Sequence, residues 1–162
     1  DIGMKNTKHL IGYPDYRDPS KKQLTDDVNF VNSTTPIDVG NLLELINLGA
    51  NNSKFAKELQ TTPELCSLAI KILLSQQLNE KIPLKLSSKI KIAHKTGTYL
   101  TGTSDCGIVY PSNHKGFIIC LYTDKVSEYL SNGEVGFYRA KNIIGSITLE
   151  CYKFVTQTLE IN

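Results

Sequence analysis

One short string carries the residue types that acyl chemistry needs: His94-Lys95-Thr96-Gly97-Thr98. Just before it, Ile90 and Ile92 alternate with Lys89 and Lys91, the pattern of a half-buried strand, so the string closes that strand. A strand-borne ammonium, a hydroxyl beside it and a glycine form a wall along which an acyl substrate can lie. Gly97 lets a substrate backbone approach closely. The Thr98 amide can then point at a developing oxyanion. The bland alternative is an exposed Lys-Thr edge ahead of a glycine turn, which the string alone fits better; its context is what favours the chemical reading.

Other chemistry finds little support. Cys66, Cys106, Cys120 and Cys151 lie 40, 14 and 31 positions apart, with no C-x-x-C, and the three histidines are scattered. That spacing does not build a zinc site, and no metal or cofactor is expected. Cysteines in apolar segments read as small buried hydrophobes, which leaves the redox compartment open. His94 reads as a structural neighbour of the lysine, and His9 and His114 as exposed. Tyr13, Tyr16, Tyr110, Tyr122 and Tyr138 read as packing and rim residues. There is no P-loop and no dinucleotide fingerprint.

The elements that must position the string can be placed by capping and period. Residues 12–20, dense in Gly, Pro, Asp and Ser, read as a long surface loop. A helix starts at Thr35-Pro36-Ile37-Asp38, with Thr35 as cap and Pro36 in the first turn, and stops at Gly49. A second starts at Thr62-Pro63-Glu64, shows an apolar stripe of Leu65, Leu68, Ala69, Ile72 and Leu73, and runs to about Gln77. After the Ile90–Ile92 strand, Thr101-Gly102-Thr103-Ser104-Asp105 reads as a turn. Gly107–Tyr110 and Phe117–Tyr122 then read as two strands of an antiparallel hairpin. From about Glu134 to Leu159 helical spacing returns through Val135, Tyr138, Ile143, Ile147, Cys151 and Val155. The expected fold is α+β: an antiparallel sheet backed by a C-terminal helix, plus a helical region, with residues 1–162 as a single domain.

Composition narrows the function classes. The chain has 162 residues, eighteen Lys+Arg against sixteen Asp+Glu, a net charge of +2 and 40% hydrophobic residues. This suits a folded domain with a sizeable core. The lysines are interspersed with acids, so no nucleic-acid partner is expected. No apolar run is long enough to span a membrane.

At the string and its surroundings the chain resembles the serine β-lactamases and penicillin-binding proteins, especially the class A-like branch. Asn32-Ser33-Thr34-Thr35-Pro36-Ile37-Asp38, followed by Leu42-Leu43-Glu44-Leu45-Ile46, looks like that family's helix after the active-site loop. Ile92-Ala93-His94-Lys95-Thr96-Gly97-Thr98, then Asp105-Cys106-Gly107-Ile108-Val109, looks like its third motif and following strand. The resemblance implies a β-lactam or D-alanyl peptide substrate, attacked by a serine through an acyl-enzyme. It also implies roles. Lys95 would hold the substrate carboxylate and tune the site's proton network, and Thr96 would hydrogen-bond that carboxylate. Gly97 would keep the wall low, and Thr98 would give its N–H to the oxyanion.

The departures from that pattern are as informative. The family needs S-x-x-K at a helix N-terminus and S-x-N on a facing loop. Ser88-Lys89-Ile90-Lys91 fits the first on paper but lies at the start of a strand, where Ser88 and Lys91 point apart, so it reads as a decoy. Ser104-Asp105-Cys106 lacks the Asn. Both motifs belong upstream in the family, so the expectation is a C-terminal portion whose first half is missing or sits on another chain. Residues 10–31 contain no Glu to activate a deacylating water, Asp15, Asp18, Asp26 and Asp27 read as solvated acids, and the class A arginine has no counterpart near Ser104 or Asp105. A penicillin-binding D,D-peptidase, or a non-catalytic binding domain on the same fold, is the alternative to an antibiotic-resistance hydrolase. The resemblance implies a periplasmic or secreted location. An uncovered Phe117–Tyr122 strand would expose an edge prone to self-association.

Overall fold

The computed structural model describes residues 2–8, 33–99, 101–112 and 115–158. The expected loop at 12–20, Asp15, Asp18, Asp26, Asp27, His9, His114, Tyr13 and Tyr16 lie outside the described residues. Helices α1 (Pro36–Gly49) and α3 (Pro63–Leu74) begin as their Thr-Pro signals require. The Thr35 and Thr62 hydroxyls accept from the amides of Asp38 and Leu65, at 3.2 and 3.4 Å. Each cap contributes about 1 kcal/mol. The buried Asp38 carboxylate also accepts from the Asn6 amide and the Thr7 hydroxyl, at 2.9 and 2.8 Å, tying residues 2–8 to α1. Between the two helices lies α2 (Ser53–Glu58), capped by Asn52, whose six residues are too few to show a period in sequence.

Three strands follow in antiparallel order: β1 (Lys91–Tyr99), β2 (Gly102–Tyr110) and β3 (Phe117–Thr123). The hairpin from β2 to β3 is the expected one. The turn expected over Thr101–Asp105 is not there. Gly102 to Asp105 are strand, paired with Tyr99 to Thr96, so only residues 100 and 101 connect β1 to β2. The small polar residues that resemble a turn fit the sheet because they sit opposite the polar end of β1. The final helix, α4, spans Gly136–Thr158.

The period of two sorts the sheet into two cores. Ala93, Cys106 and Ile108 face α1 and α3, packing with Leu43, Val39, Ile70 and Leu73. Ile92, Val109 and Ile119 face the other way, onto Ile144 and Cys151 of α4 and Ile82 of a short 3-10 turn, Ile82–Lys85. The sheet is therefore covered on both faces. Two expected stripes come out rotated. On α4 the buried side chains include Ala140, Ile144 and Thr148, while Tyr138, Ile143 and Ile147 are exposed. On α3, Leu65, Leu68 and Ile72 are exposed and Ile70 and Leu73 pack on the sheet. Both helices carry apolar residues on more than one face, so spacing alone did not decide which face the sheet covers. Among the described residues no strand pairs with the outer edge of β1 or of β3.

One close approach sets the spacing of β1 and β2. A Cβ built on Gly107 would stand 2.6 Å from the His94 Cβ and 2.8 Å from the Ala93 carbonyl oxygen. Only glycine lets the strands meet there. Gly107→Ala is expected to lower stability by about 1–3 kcal/mol, read from urea unfolding. A loss under about 0.5 kcal/mol would show that the strands can separate freely at this point.

Candidate functional site

The Lys95–Thr98 string runs along the last half of β1, at the sheet's outer edge. Lys95 is exposed, and its Nζ donates to the Thr96 carbonyl at 2.6 Å. The Gly97 carbonyl turns the other way, toward β2. It accepts from the Thr103 hydroxyl at 3.2 Å and from Lys81 Nζ at 2.6 Å. Along a strand, main-chain groups alternate in direction. With the Gly97 carbonyl facing β2 and the Thr96 carbonyl at the outer edge, the N–H and C=O of Thr98 point outward as well. The Thr98 side chain bonds to Lys81 Nζ at 3.1 Å and to the Thr103 hydroxyl at 3.4 Å.

Lys81 is the residue the sequence reading missed. It is only 4% exposed, and its ammonium donates to the Gly97 carbonyl, to the Ser104 carbonyl at 3.0 Å and to the Thr98 hydroxyl. It thus bridges β1 and β2 at the glycine of the string. Nothing local marks Lys81 in the sequence; it lies on the polar connection between α3 and the 3-10 turn. The strand after the string carries no cation near Ser104, and Lys81 brings one to the Ser104 carbonyl from a different element.

Behind this ammonium lies a buried charge network. Asp105, fully buried, accepts from the Ile82 amide at 3.0 Å and meets His94 Nδ1 at 3.0 Å. His94 Nε2 meets the Asn79 side-chain oxygen at 3.2 Å. His94 is 1% exposed, so it is a structural tie between β1, β2 and the residues around Lys81, as expected of a neighbour to the lysine. Burial pushes the Lys81 ammonium below the ordinary lysine range, with the Asp105 carboxylate opposing that shift. An ion pair between Glu80 and Lys141 fastens the adjoining residue to α4.

Gly97 keeps the wall low for a second reason. A Cβ there would stand 2.6 Å from the Ser104 hydroxyl, so that hydroxyl lies directly across from Gly97, on the face shared by Lys95. Ser88 is not brought near this ledge as part of a helix N-terminus. It is exposed, on a turn that precedes β1 instead of at the strand's start. Another S-x-x-K, Ser112 to Lys115, falls in the β2–β3 connection, at the opposite end of the sheet from Thr98. Neither serine sits where a helix amide would support it. Among the described residues no group of His, Cys, Asp and Glu is arranged to hold a metal, and no helix is long and apolar enough to cross a membrane.

Comparison with known proteins places this architecture. A family model described as the beta-lactamase enzyme family matches residues 2–155. No curated protein matches the chain. Among solved structures, a PBP-A variant seen as an acyl-enzyme complex with penicillin G superposes with a TM-score of 0.65 at 20% identity, over 99% of this chain and 48% of that one. An ancestral class A β-lactamase gives 0.63 at 15% identity, over 93% and 51%. A β-lactamase from Sphaerobacter thermophilus gives 0.58 at 17%, over 78% and 42%. At such identities the likeness is one of fold. The chain spans about half the length of these structures.

Lys81→Met would leave the Gly97 and Ser104 carbonyls without their shared donor and Asp105 without its nearby cation. It is expected to cost about 2–4 kcal/mol in urea unfolding. The pH dependence has a definite sign. The unfolded chain binds the Lys81 proton more tightly than the folded one, so stability from this site rises with pH in the window below 10.5. That rise should vanish in the methionine variant; a rise of equal size in both proteins would exclude Lys81 as its source.

Proposed function

Since the chain belongs to the beta-lactamase enzyme family, we propose that it contributes one wall of an acyl-transfer pocket whose nucleophilic serine comes from outside these residues. The substrate is a β-lactam or a D-alanyl peptide. The observation that carries this reading is the outward turn of the Thr98 main chain, at a strand edge with no partner strand among the described residues, next to an exposed Lys95.

In this reading the serine attacks the substrate carbonyl, whose oxygen gains negative charge as the carbon becomes tetrahedral. The Thr98 N–H meets that charge from the outer edge of β1, and a donor already aimed at the spot needs no reorganisation during the reaction. Lys95 supplies positive charge to the substrate carboxylate and to the proton network of the serine, and the Thr96 hydroxyl binds the same carboxylate. Gly97 leaves room for the substrate to lie against the strand. Lys81 does not touch the substrate; it holds the Gly97 carbonyl and Thr98 hydroxyl so that the outward groups keep their direction. Collapse of the tetrahedral species opens the lactam ring, or expels D-alanine, and leaves the acyl-enzyme.

The supporting half would cover what the fold leaves open. Leu65, Leu68 and Ile72 of α3 are exposed at helical spacing, and the outer edge of β3 has no partner strand among the described residues. A complementary segment, or failing that a second copy of this chain, would bury both. A location outside the cytoplasmic membrane, periplasmic or secreted, follows from the substrate class. The absence of Glu from residues 10–31 favours slow release of the acyl group, as in a penicillin-binding D,D-peptidase, over rapid hydrolysis.

A fluorescent penicillin tests the reading. The chain alone should take up no covalent label. Mixed with a polypeptide that supplies the family's serine motif and helical half, it should support labelling of that serine. Lys95→Ala should slow the labelling about 100-fold or more. Label on Ser88 or Ser112 of the isolated chain, or unchanged labelling with Lys95→Ala, would overturn it.

A further inference from the structure

We propose that Cys106 and Cys120 form a cross-strand disulfide, a redox-sensitive clasp in the sheet directly behind Lys95. The two residues are directly opposed partners in the pairing of β2 with β3, and both are free thiols in this structure. Opposed residues in antiparallel strands have Cα atoms about 4.5 or 5.5 Å apart. That lies inside the range of about 4.4–6.8 Å that a disulfide spans. The bond therefore forms without moving either strand.

The surroundings suit the reaction. Hydrogen bonds from the Cys120 thiol and then from the Tyr122 hydroxyl hold the Cys106 thiol below its ordinary range, against the effect of burial. The same contact and burial push Cys120 up. Cys106 is thus the sulfur that ionises, and Cys120 is the resolving thiol beside it. Where α1 crosses Cys120 it carries Gly40, whose Cβ, if present, would stand 4.0 Å from Cys120 Sγ. No α1 side chain at that position crowds the pair.

The oxidant is a peroxide, small enough for a mostly buried site. The Cys106 thiolate attacks one peroxide oxygen and breaks the O–O bond, giving the sulfenic acid and, for hydrogen peroxide, one water after protonation. The Cys120 sulfur then attacks the Cys106 sulfur and displaces its hydroxyl as a second water. Two thiol hydrogens and two electrons pass to the peroxide, and one S–S bond forms. Lys95, Cys106 and Cys120 occupy one row across the three strands. Oxidation therefore locks the two strands that back the exposed lysine. This clasp stands on the pairing of β2 with β3 and is independent of the proposed acyl chemistry.

The full chain, treated with hydrogen peroxide, should lose about 2 Da in intact mass. Peptide mapping should then link Cys106 to Cys120 and leave Cys66 and Cys151 open to alkylation after unfolding. The thermal midpoint should rise by about 5–10 °C, as expected for closing a short loop in a domain of this size, and return with dithiothreitol. In Cys120→Ala, Cys106 should stop at a sulfenic acid that dimedone traps. Both cysteines alkylated in full after peroxide, or a link from either to Cys66, Cys151 or a second chain, would overturn the proposal. Should Cys120→Ala fail to fold, the map of the unaltered chain decides alone.

Discussion

The ammonium of Lys81, set between the Gly97 and Ser104 carbonyls, is the contact on which the rest of the site depends. Two strand carbonyls that share a buried cation cannot rotate away without losing it. Their fixed direction determines the direction of every neighbouring main-chain group on β1. Asp105 opposes the effect of burial on that cation, which by itself would push the ammonium further below the ordinary lysine range. The carboxylate is in turn held by the Ile82 amide and His94. Residues of β1, β2 and the 3-10 turn, together with Lys81 just before it, thereby define one strand end, and the exposed string inherits its geometry from groups behind it.

The sheet's two-sided cover explains why this arrangement can be rigid at its centre and open at its rim. β2 is paired on both sides and packed on both faces, so the Asp105 network sits in the most enclosed strand. Among the described residues β1 is paired on one side only, which leaves the polar groups of its other side without a strand partner there. The close approach at Gly107 draws β1 against β2 just ahead of Lys95. Cys106 and Cys120 continue the Lys95 row inward, so the chemistry of the sheet interior and that of its edge are neighbours in the register.

Much of this was legible in the sequence, for local reasons. The Thr-Pro starts of α1 and α3, the β2–β3 hairpin and the α+β order each rest on short-range signals that the structure repeats. The string itself was visible because its residue types are unusual together at a strand end. What escaped notice is long-range or disguised. Gly102 to Asp105 looked like a turn because small polar residues serve both a tight turn and a strand facing a polar neighbour. The α4 stripe was read one position off, since Ile143 and Ile147 repeat as regularly as Ala140, Ile144 and Thr148. α2 was too short to see. Lys81 was invisible because its partners lie 16 to 23 residues away in sequence, and a lysine in a polar connection looks like any solvated one.

Amide hydrogen exchange, resolved by residue, tests the central geometry most directly. The Thr98 amide, turned to the edge of β1 that no strand covers among the described residues, should exchange close to the rate of unprotected chain. The Gly97 amide, on the side facing β2, should be protected to nearly the extent of the central strand. Equal protection at the two residues, or a protected Thr98 amide beside an unprotected Gly97, would contradict it.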